Sequence, residues 1–348
     1  FGTSEFKALY ASIDWSKVPN IPTRKLDASG SFITTGYNTS DPDCWWSFST
    51  CTTPKAPGIN PDIYFCPEPE TLGLSYDDGP NCSHTVFYDF LQANNQKATM
   101  FFIGSNVADW PNEAKRALAD GHQICVHTWS HPYMTTLTNE EVLGELYYTR
   151  KAIKYVIGVT PQCWRPPFGD VDDRVRGIAQ QLNMSTIIWN LDTNDWDMAP
   201  AGTLTPAQVD ANFQDFVNMG KNGTFTDSGC IILEHEINSG TMSKALEWYP
   251  QIASAYKYLV PIASCMNITQ PYAETNISYP TFAEYIGTST TTSNNNTNNS
   301  NNNPNNGNSN AANSNSNANS TNNNNKGQSQ VGKASSASIA SHINLISM

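Results

Sequence analysis

The chain has 348 residues, of which 39% are apolar, and a formal net charge of −12 at pH 7. No run of 18 or more apolar residues occurs, which excludes a polytopic membrane protein. The acidic balance, without a basic cluster, argues against nucleic-acid binding. The polar surplus is local, because 20 of the 32 residues from 294 to 325 are Asn. Residues 288–348 are therefore predicted to form a disordered tail, since they offer little apolar area to offset the entropy of ordering.

Two kinds of pattern follow one another along the rest of the chain. Residues 1–65 are rich in Pro, Gly, Asn, Ser and Thr and predict an irregular extension with one short helix near 5–13. Short apolar segments then alternate with amphipathic ones. The predicted strands are 71–76, 98–103, 123–127, 163–165, 185–190, 230–233 and 258–262. The predicted helices are 83–94, 111–120, 139–156, 172–181, 206–218 and 242–256. This alternation predicts an α/β fold with a parallel sheet, open or closed as a barrel.

Helix starts and strand ends carry further information. Ser83 and Thr138 are predicted N-caps, and Pro111 and Pro206 suit the first turn of a helix. Polar side chains that can do chemistry fall at the carboxyl ends of predicted strands, where parallel α/β folds form their sites. These side chains belong to Asp77, Asp78, His127, Arg165, Asp192, Asp195 and His235.

Two of these segments together predict a metal site. His127 and His131 are four residues apart and would share one face of a helical turn, so both imidazoles would reach one ion. Two His and one carboxylate make an open metal site; one of the adjacent Asp77 and Asp78 would be that carboxylate, and the other is then a candidate base. The alternatives are an ordinary Asp-Gly surface turn and two unrelated histidines.

The remaining polar segments suggest supporting roles. Arg165 precedes two prolines that stiffen the backbone, so it would orient one of the Asp carboxylates. His235 follows an apolar strand and is a natural general acid near neutral pH. Trp196 adjoins Asp195 and offers a flat wall that suits a sugar ring, although helix capping and a core Trp are the better explanation of this segment taken by itself. His84 and His122 are interpreted as structural.

Cysteines and sequons indicate the compartment. None of the eight cysteines forms a Cys-x-x-Cys pair, so a thiolate zinc site is not expected, and Cys44 and Cys51 bracket a short loop that a disulfide would close. Six glycosylation sequons precede the tail, which favours a secreted eukaryotic protein. They are Asn38, Asn81, Asn183, Asn222, Asn267 and Asn276.

The two ends of the chain give weaker signals. The chain begins at Phe1 without a Met, which we interpret as a signal segment removed or omitted. Residues 334–348 are similar to the beginning of a GPI-anchor signal but lack its apolar tail of about 10–20 residues. A frayed polar end is the alternative.

In their order along the chain, five segments resemble the five motifs of the NodB-homology polysaccharide deacetylases (carbohydrate esterase family 4), and among these the fungal chitin deacetylases. The segments are 75–80, 127–131, 165–169, 192–196 and 233–235. The resemblance implies a distorted (β/α) barrel of about seven parallel strands. It divides the chain into an extension (1–65), a deacetylase domain (66–270), a connector (271–287) and the tail (288–348).

The resemblance also assigns the metal and the base. Asp78, His127 and His131 would bind one divalent metal, with zinc expected and cobalt as the alternative. Asp77 would be the general base, and Arg165 would hold it.

The resemblance also assigns the general acid and the residues that would contact the substrate. His235 would be the general acid, oriented by Asp195, and Trp196 would form a wall of the cleft. Leu233 would line the pocket for the acetyl methyl, and the backbone N–H of Phe168 would stabilise the oxyanion. Tyr76 stands where the family most often has Phe, and Phe168 where it most often has Tyr.

The implied reaction is N-deacetylation of chitin by a secreted, monomeric enzyme of the fungal cell wall or cell surface. An O-acetyl esterase on xylan, a peptidoglycan N-deacetylase and a non-catalytic wall-binding protein are the alternatives. A Cys66–Cys265 disulfide is expected to join the first and last barrel strands, whereas Cys125, Cys163 and Cys230 are predicted to be buried free thiols. Cys82 is left unassigned.

Overall fold

A computed structural model describes residues 1–287, so the predicted disordered tail and the GPI-like segment lie outside the described residues. The strands are β1 Thr71–Gly73, β2 Ser75–Gly79, β3 Thr99–Phe102, β4 Gln123–Val126, β5 Cys163–Trp164, β6 Ser185–Thr186, β7 Leu191–Asp192, β8 Cys230–His235 and β9 Tyr258–Val260. The helices are α1 Ser4–Ser12, α2 Trp46–Ser49, α3 Thr85–Ala93, α4 Gly104–Asp109, α5 Pro111–Ala119, α6 Asn139–Ile157, α7 Asp173–Gln181, α8 Pro206–Lys221, α9 Ser239–Ala255, α10 Ile262–Cys265 and α11 Phe282–Tyr285.

The sheet has the parallel order β6-β5-β4-β3-β2-β8-β1-β9, and β7 pairs with β8. Since β6 and β7 follow each other within 185–192, this segment contacts β5 at its start and β8 at its end. The segment therefore closes the sheet into a distorted barrel, and the predicted α/β barrel is confirmed.

Two predicted strands are each divided in the structure. Leu74 separates β1 from β2 because the chain changes neighbours there: its N–H donates to Val260 of β9, and its carbonyl accepts from Thr99 of β3. The segment 185–192 is interrupted where Ile63 of the N-terminal extension pairs with Ile187. The seven predicted strand segments thus correspond to nine strands among residues 1–287.

The helix boundaries follow the local chemistry. Thr138 begins α6 with a capping box that Glu141 completes, and Pro111 and Pro206 occupy the first turns of α5 and α8. The Ser83 N-cap is wrong, because α3 begins after His84 and no side chain caps it.

Alternate residues of the strands enter two buried clusters. Met100, Phe102, Ile124 and Val126 face the helices, whereas Phe101 points the other way. A second, smaller cluster packs around Phe101, and it contains Cys125, Cys163, Ile187 and Ile231. This two-sided burial is what a closed parallel sheet covered by helices requires. Among the described residues, no helix has the length and hydropathy needed to cross a membrane.

The structure contains three disulfides, one of them local and two between segments that are distant in sequence. Cys44–Cys51 closes a local loop, and Cys66–Cys265 joins the segment before β1 to α10, as expected. Cys230 is a buried free thiol, and Cys82 is free and exposed.

The prediction that Cys125 and Cys163 are free thiols is wrong, because the two residues form the third disulfide, with 5.1 Å between their Cα atoms. Val126 of β4 pairs with Trp164 of β5, so the preceding residues, Cys125 and Cys163, are cross-strand neighbours. Their side chains point to the same face of the sheet. Register between strands that are distant in sequence produces this pairing, and local sequence does not reveal it.

We predict that only Cys82 and Cys230 of the eight cysteines react with an alkylating agent when the protein is denatured without reductant. Replacing Cys125 and Cys163 together by Ala should lower the free energy of unfolding by about 3–4 kcal/mol, the chain-entropy value for a loop of this length. Urea denaturation measures the change, and Cys82→Ala is the control because that thiol is exposed. Alkylation of Cys125 or Cys163 in the unreduced protein would contradict the third disulfide.

Candidate active site

The predicted polar residues converge at one end of the barrel, where β2, β4, β5, β7 and β8 end. Asp77 and Asp78 lie in β2, His127 follows β4, and His235 ends β8. Arg165 follows β5, and Asp192 ends β7. Because all these strands are parallel, their carboxyl ends meet at the same edge. The prediction that this edge carries the polar cluster is confirmed.

Two adjacent carboxylates reach this cluster through an irregularity in β2. In a regular strand Asp77 and Asp78 would point to opposite faces. The pairing of β2 with β3 instead shifts by one residue between Asp77 and Gly79, and Asp78 has φ of +72°. This bulge turns the second carboxylate towards the same cluster as the first.

Asp78, His127 and His131 form a compact set of ligand atoms. Asp78 Oδ1 lies 3.3 Å from His127 Nε2 and 3.2 Å from His131 Nε2. One ligand atom from each residue lies within 4.8 Å of the other two. Open metal sites in proteins commonly use two imidazoles and one carboxylate.

The protonation of His127 makes this arrangement fit a cation. His127 Nδ1 lies 2.8 Å from the carbonyl oxygen of Arg165, and a carbonyl only accepts, so Nδ1 carries the proton. Nε2 then presents a lone pair towards Asp78 Oδ1, which is buried and receives no hydrogen bond. Two electron-rich atoms that face each other without a proton between them are satisfied when a metal ion lies among them.

The two histidines meet through a loop and not through the predicted helical turn. Thr128 and His131 both have positive φ, +63° and +58°, so residues 127–131 form an irregular loop. Thr128 Oγ1 accepts the backbone N–H of His131 at 3.1 Å. The expectation of a helical turn is therefore wrong, although the inference that both imidazoles reach one point is confirmed.

Glu145 of α6 anchors the same loop and was missed by the sequence analysis. Its carboxylate accepts the backbone N–H groups of Trp129 and Ser130 at 2.7 and 2.9 Å, and the hydroxyl of Ser130 at 2.7 Å. The residue lies in the middle of an ordinary amphipathic helix, so no local signal marks it.

Arg165 holds Asp77, as expected, through one nitrogen of its guanidinium. Arg165 Nη1 donates to Asp77 Oδ1 at 2.7 Å, and Nη2 donates to Ser75 Oγ at 3.0 Å. The guanidinium is fully buried and lies 4.0 Å over the ring of Phe101. Asp77 Oδ2 is left free on the side of the metal ligands, 3.7 Å from His127 Nε2.

Asp195 holds His235, which ends β8 beside Asp77 of β2. Its Oδ1 lies 2.6 Å from His235 Nδ1, and its Oδ2 accepts the backbone N–H of His235 at 2.9 Å. Burial by itself lowers the pKa of His235, but Asp195, helped by the charges of Asp78 and Asp77, raises it to about 10. An imidazole in this setting keeps its proton at neutral pH and presents it on Nε2.

Aromatic side chains form the rim. Trp196 and Phe168 are 41% and 43% exposed, which is unusual for such large apolar groups. The ring of Phe168 stacks on Tyr133 at 4.2 Å and lies 4.6 Å from the ring of His131. Leu233 is buried in β8, two residues before His235.

Asp192, whose role the sequence left open, pairs with Leu233 in register. Its Oδ1 accepts the backbone N–H of Asn194 at 2.8 Å. Burial raises the pKa of Asp192 to about 6, so this carboxyl group gives up its proton close to neutral pH.

The side chain of Asn81, one of the predicted glycosylation sites, already forms hydrogen bonds through its amide nitrogen. Its Nδ2 donates to the carbonyl oxygens of Glu236 and Ile237 at 2.8 and 2.9 Å, so both amide hydrogens are already used. A glycan on Nδ2 would remove one of these bonds, and the glycosylation of Asn81 stays a prediction. The other five predicted acceptors are exposed, and their glycosylation stays a prediction.

Other histidines and a second amide complete the surroundings. His84 and His122 are buried and bond to backbone groups, which agrees with structural roles. Asn106 of α4 donates to the carbonyl oxygen of Asp78 at 2.9 Å and so supports the bulge.

Comparison with known proteins shows which proteins this chain is similar to. Residues 66–187 match the family model described as polysaccharide deacetylase. A chitin deacetylase of Amylomyces rouxii is 59% identical over 274 residues, which are 78% of this chain and 64% of that protein. Chitin deacetylase 2 of Cryptococcus neoformans var. grubii is 54% identical over 281 residues, 80% of this chain and 61% of that protein. The chain thus spans less than two thirds of either relative.

A solved structure has the same fold. The chitin deacetylase of the fungal pathogen Colletotrichum lindemuthianum aligns with a TM-score of 0.56 at 24% identity, over 62% of this chain and 96% of that one.

Glu145→Ala should weaken metal binding, because the loop between the two histidines loses three hydrogen bonds. We expect the dissociation constant for zinc to rise by roughly 10–100-fold, the usual effect of removing a group that supports metal ligands. Competition with a chromophoric chelator measures the constant. Glu140→Ala is the matched control, since Glu140 lies exposed on the same helix. An unchanged constant for Glu145→Ala would contradict the anchoring role.

Proposed function

Because this chain carries a polysaccharide deacetylase domain, we propose that it is a metal-dependent N-deacetylase that converts chitin to chitosan and acetate. One observation carries the proposal: the ligand set of Asp78, His127 and His131 lies at the same end of the barrel as a carboxylate held by a cation and an imidazole held by an anion. We infer the substrate, chitin, from the relatives that are named chitin deacetylase.

Amide hydrolysis is difficult because the carbonyl is a weak electrophile and the amine a poor leaving group. When bound by Asp78, His127 and His131, a divalent cation, with zinc expected and cobalt as the alternative, would supply Lewis-acid polarisation of the acetyl carbonyl and of water. The free Oδ2 of Asp77 is placed to take the proton of the attacking water, while Arg165 keeps Oδ1 occupied.

His235 would complete the reaction as the general acid. Its Nδ1 is engaged by Asp195, so Nε2 is the atom that donates a proton to the departing amine nitrogen. The backbone N–H of Phe168 would stabilise the negative charge on the acetyl oxygen. Leu233 would line the space for the acetyl methyl, and Trp196 would pack against the sugar ring.

Three disulfides support a secreted protein, because such bonds persist in oxidising compartments. We propose the fungal cell wall or cell surface as its location, where the substrate lies. The protein is expected to act as a monomer, and a GPI anchor remains an expectation from the sequence alone.

The proposed function is tested by acetate release from a soluble N-acetylglucosamine oligomer, before chelation, after chelation and after zinc is restored. We expect release to stop with the chelator and return with zinc. His131→Ala should lose both zinc and acetate release. If the zinc-loaded protein releases no acetate from any oligomer length, the proposal is wrong, and an esterase on another glycan or a wall-binding role takes its place.

The pH dependence tests the acid. The raised pKa of His235 means that its proton is present at neutral pH and is lost only as the pH rises through the basic range. Asp195→Asn removes the main raising influence, while burial still lowers this pKa. The basic limb of kcat/KM should therefore move to lower pH, with a loss at pH 8 of roughly 10²–10⁴-fold, the usual contribution of a general acid.

Profiles of kcat/KM against pH measure this shift. Asp197→Asn is the matched control, since Asp197 lies two residues away and bonds to Thr203 instead of His235. Superimposable profiles for Asp195→Asn and the wild type would contradict the role of His235.

A further inference from the structure

The loop that carries Phe168 has a conformation that its own sequence does not favour. We call residues 165–170 the oxyanion loop, after its proposed role. Phe168 has φ of +58° and Gly169 has φ of +68°, so two consecutive residues are left-handed. A bulky aromatic residue stays in this region only when its surroundings fix it.

The surroundings that fix it come largely from the N-terminal extension. We call residues 32–51 the clamp; they precede residue 66, where the match to the deacetylase family begins. Asp170, fully buried at the end of the oxyanion loop, accepts hydrogen bonds from Trp45 Nε1 at 2.9 Å and Ser47 Oγ at 2.8 Å. It also accepts the N–H of Thr135 at 2.8 Å.

Trp46 of the clamp lies directly against the loop backbone. A Cβ added to Gly169 would lie 2.4 Å from the Trp46 indole, so only glycine permits this contact. The backbone N–H of Trp46 donates to the carbonyl oxygen of Val171 at 2.9 Å. The loop therefore rests on the indole just after Phe168.

A row of rings fixes the other side of the loop. Phe32 of the clamp packs edge-on against Trp45 at 4.9 Å and against Tyr133 at 5.0 Å. Tyr133 stacks on Phe168 at 4.2 Å. The side chain of Phe168 is thus held from the clamp through one intermediate ring.

The clamp itself is tied to the barrel. Arg176 of α7 donates to the carbonyl oxygens of Cys44 and Cys51, the two ends of the small disulfide loop. The same guanidinium forms a two-nitrogen ion pair with Asp62. The clamp is therefore anchored independently of its contacts with the oxyanion loop.

We propose that the clamp is a positioning element of the active site, which holds Phe168 in the left-handed conformation that aims its backbone N–H at the acetyl oxygen. This inference rests on the proposed deacetylase function. Trp46, Ser47 and Phe32 act through the loop and do not contact the substrate themselves. A segment outside the matched family region thus becomes part of the catalytic unit.

The test is Trp46→Ala in the full chain, loaded with zinc. We expect kcat for acetate release to fall by roughly 10–100-fold, part of the 10²–10³-fold effect of losing an oxyanion donor. KM should change less than threefold, and zinc affinity should be unchanged because the ligands lie outside the oxyanion loop. Trp46→Phe, which keeps a ring under Gly169, should recover most of kcat.

Trp15→Ala is the matched control, because Trp15 is a half-buried Trp of the same extension that packs on Tyr10. It should leave kcat unchanged. A folded, zinc-loaded Trp46→Ala protein with wild-type kcat would overturn the proposal. If that variant does not fold, Ser47→Ala, which removes one partly buried hydrogen bond to Asp170, should lower kcat by about 2–5-fold, and wild-type kcat there would overturn it instead.

Hydrogen exchange separates this proposal from the function on which it rests. Backbone amides of 165–170 should exchange at least about 10-fold faster in Trp46→Ala than in the wild type or Trp15→Ala, whether or not acetate is released. If the wild type releases no acetate, the proposed function fails, while faster exchange would still support the clamp. Equal exchange in the two Trp variants would overturn the clamp by itself.

Discussion

The bulge at Asp78 is the constraint on which the active site depends. A regular strand cannot direct two adjacent carboxylates to the same place, yet the site uses Asp77 and Asp78 together. The left-handed φ of Asp78 solves this geometry, and it costs of order 1–3 kcal/mol that neighbouring contacts must offset. Asn106 bonds the carbonyl oxygen of Asp78, and the N–H of Ile103 bonds that of Gly79. Helix α4 and the residue that follows β3 thereby stabilise the bulge that positions Asp78.

Two titratable groups of the site have buried partners of opposite charge. A buried guanidinium, that of Arg165, holds Asp77, and a buried carboxylate, that of Asp195, holds His235. The first partner favours a group that accepts a proton, and the second favours a group that carries one. Environments that separate two titratable groups in this way are the usual basis for pairing a base with an acid. The proposed roles of Asp77 and His235 rest on these partners as much as on their own residue types.

Support for the site extends beyond the barrel that the strands form. Glu145 fixes the loop of the two histidines from α6, and the N-terminal extension contacts the loop of Phe168 through Trp46 and Asp170. Both loops contain positive-φ residues, which local sequence alone would not keep in place. Distant elements supply the contacts that hold them, because a loop of few residues cannot bury enough of itself to do so.

The sequence by itself determined the alternation of strands and helices and the edge of the sheet that carries the polar residues, among them the three residues that could hold a metal ion. These features are local, since periodicity, caps and strand ends are encoded within a few residues. Tertiary structure decided the bulge that unites Asp77 with Asp78, the loop that brings His127 to His131, and the anchoring by Glu145. It also paired Cys125 with Cys163 and engaged the amide of Asn81. Each of these depends on register or contact between segments that are far apart in the chain, and no pattern within one segment can specify that.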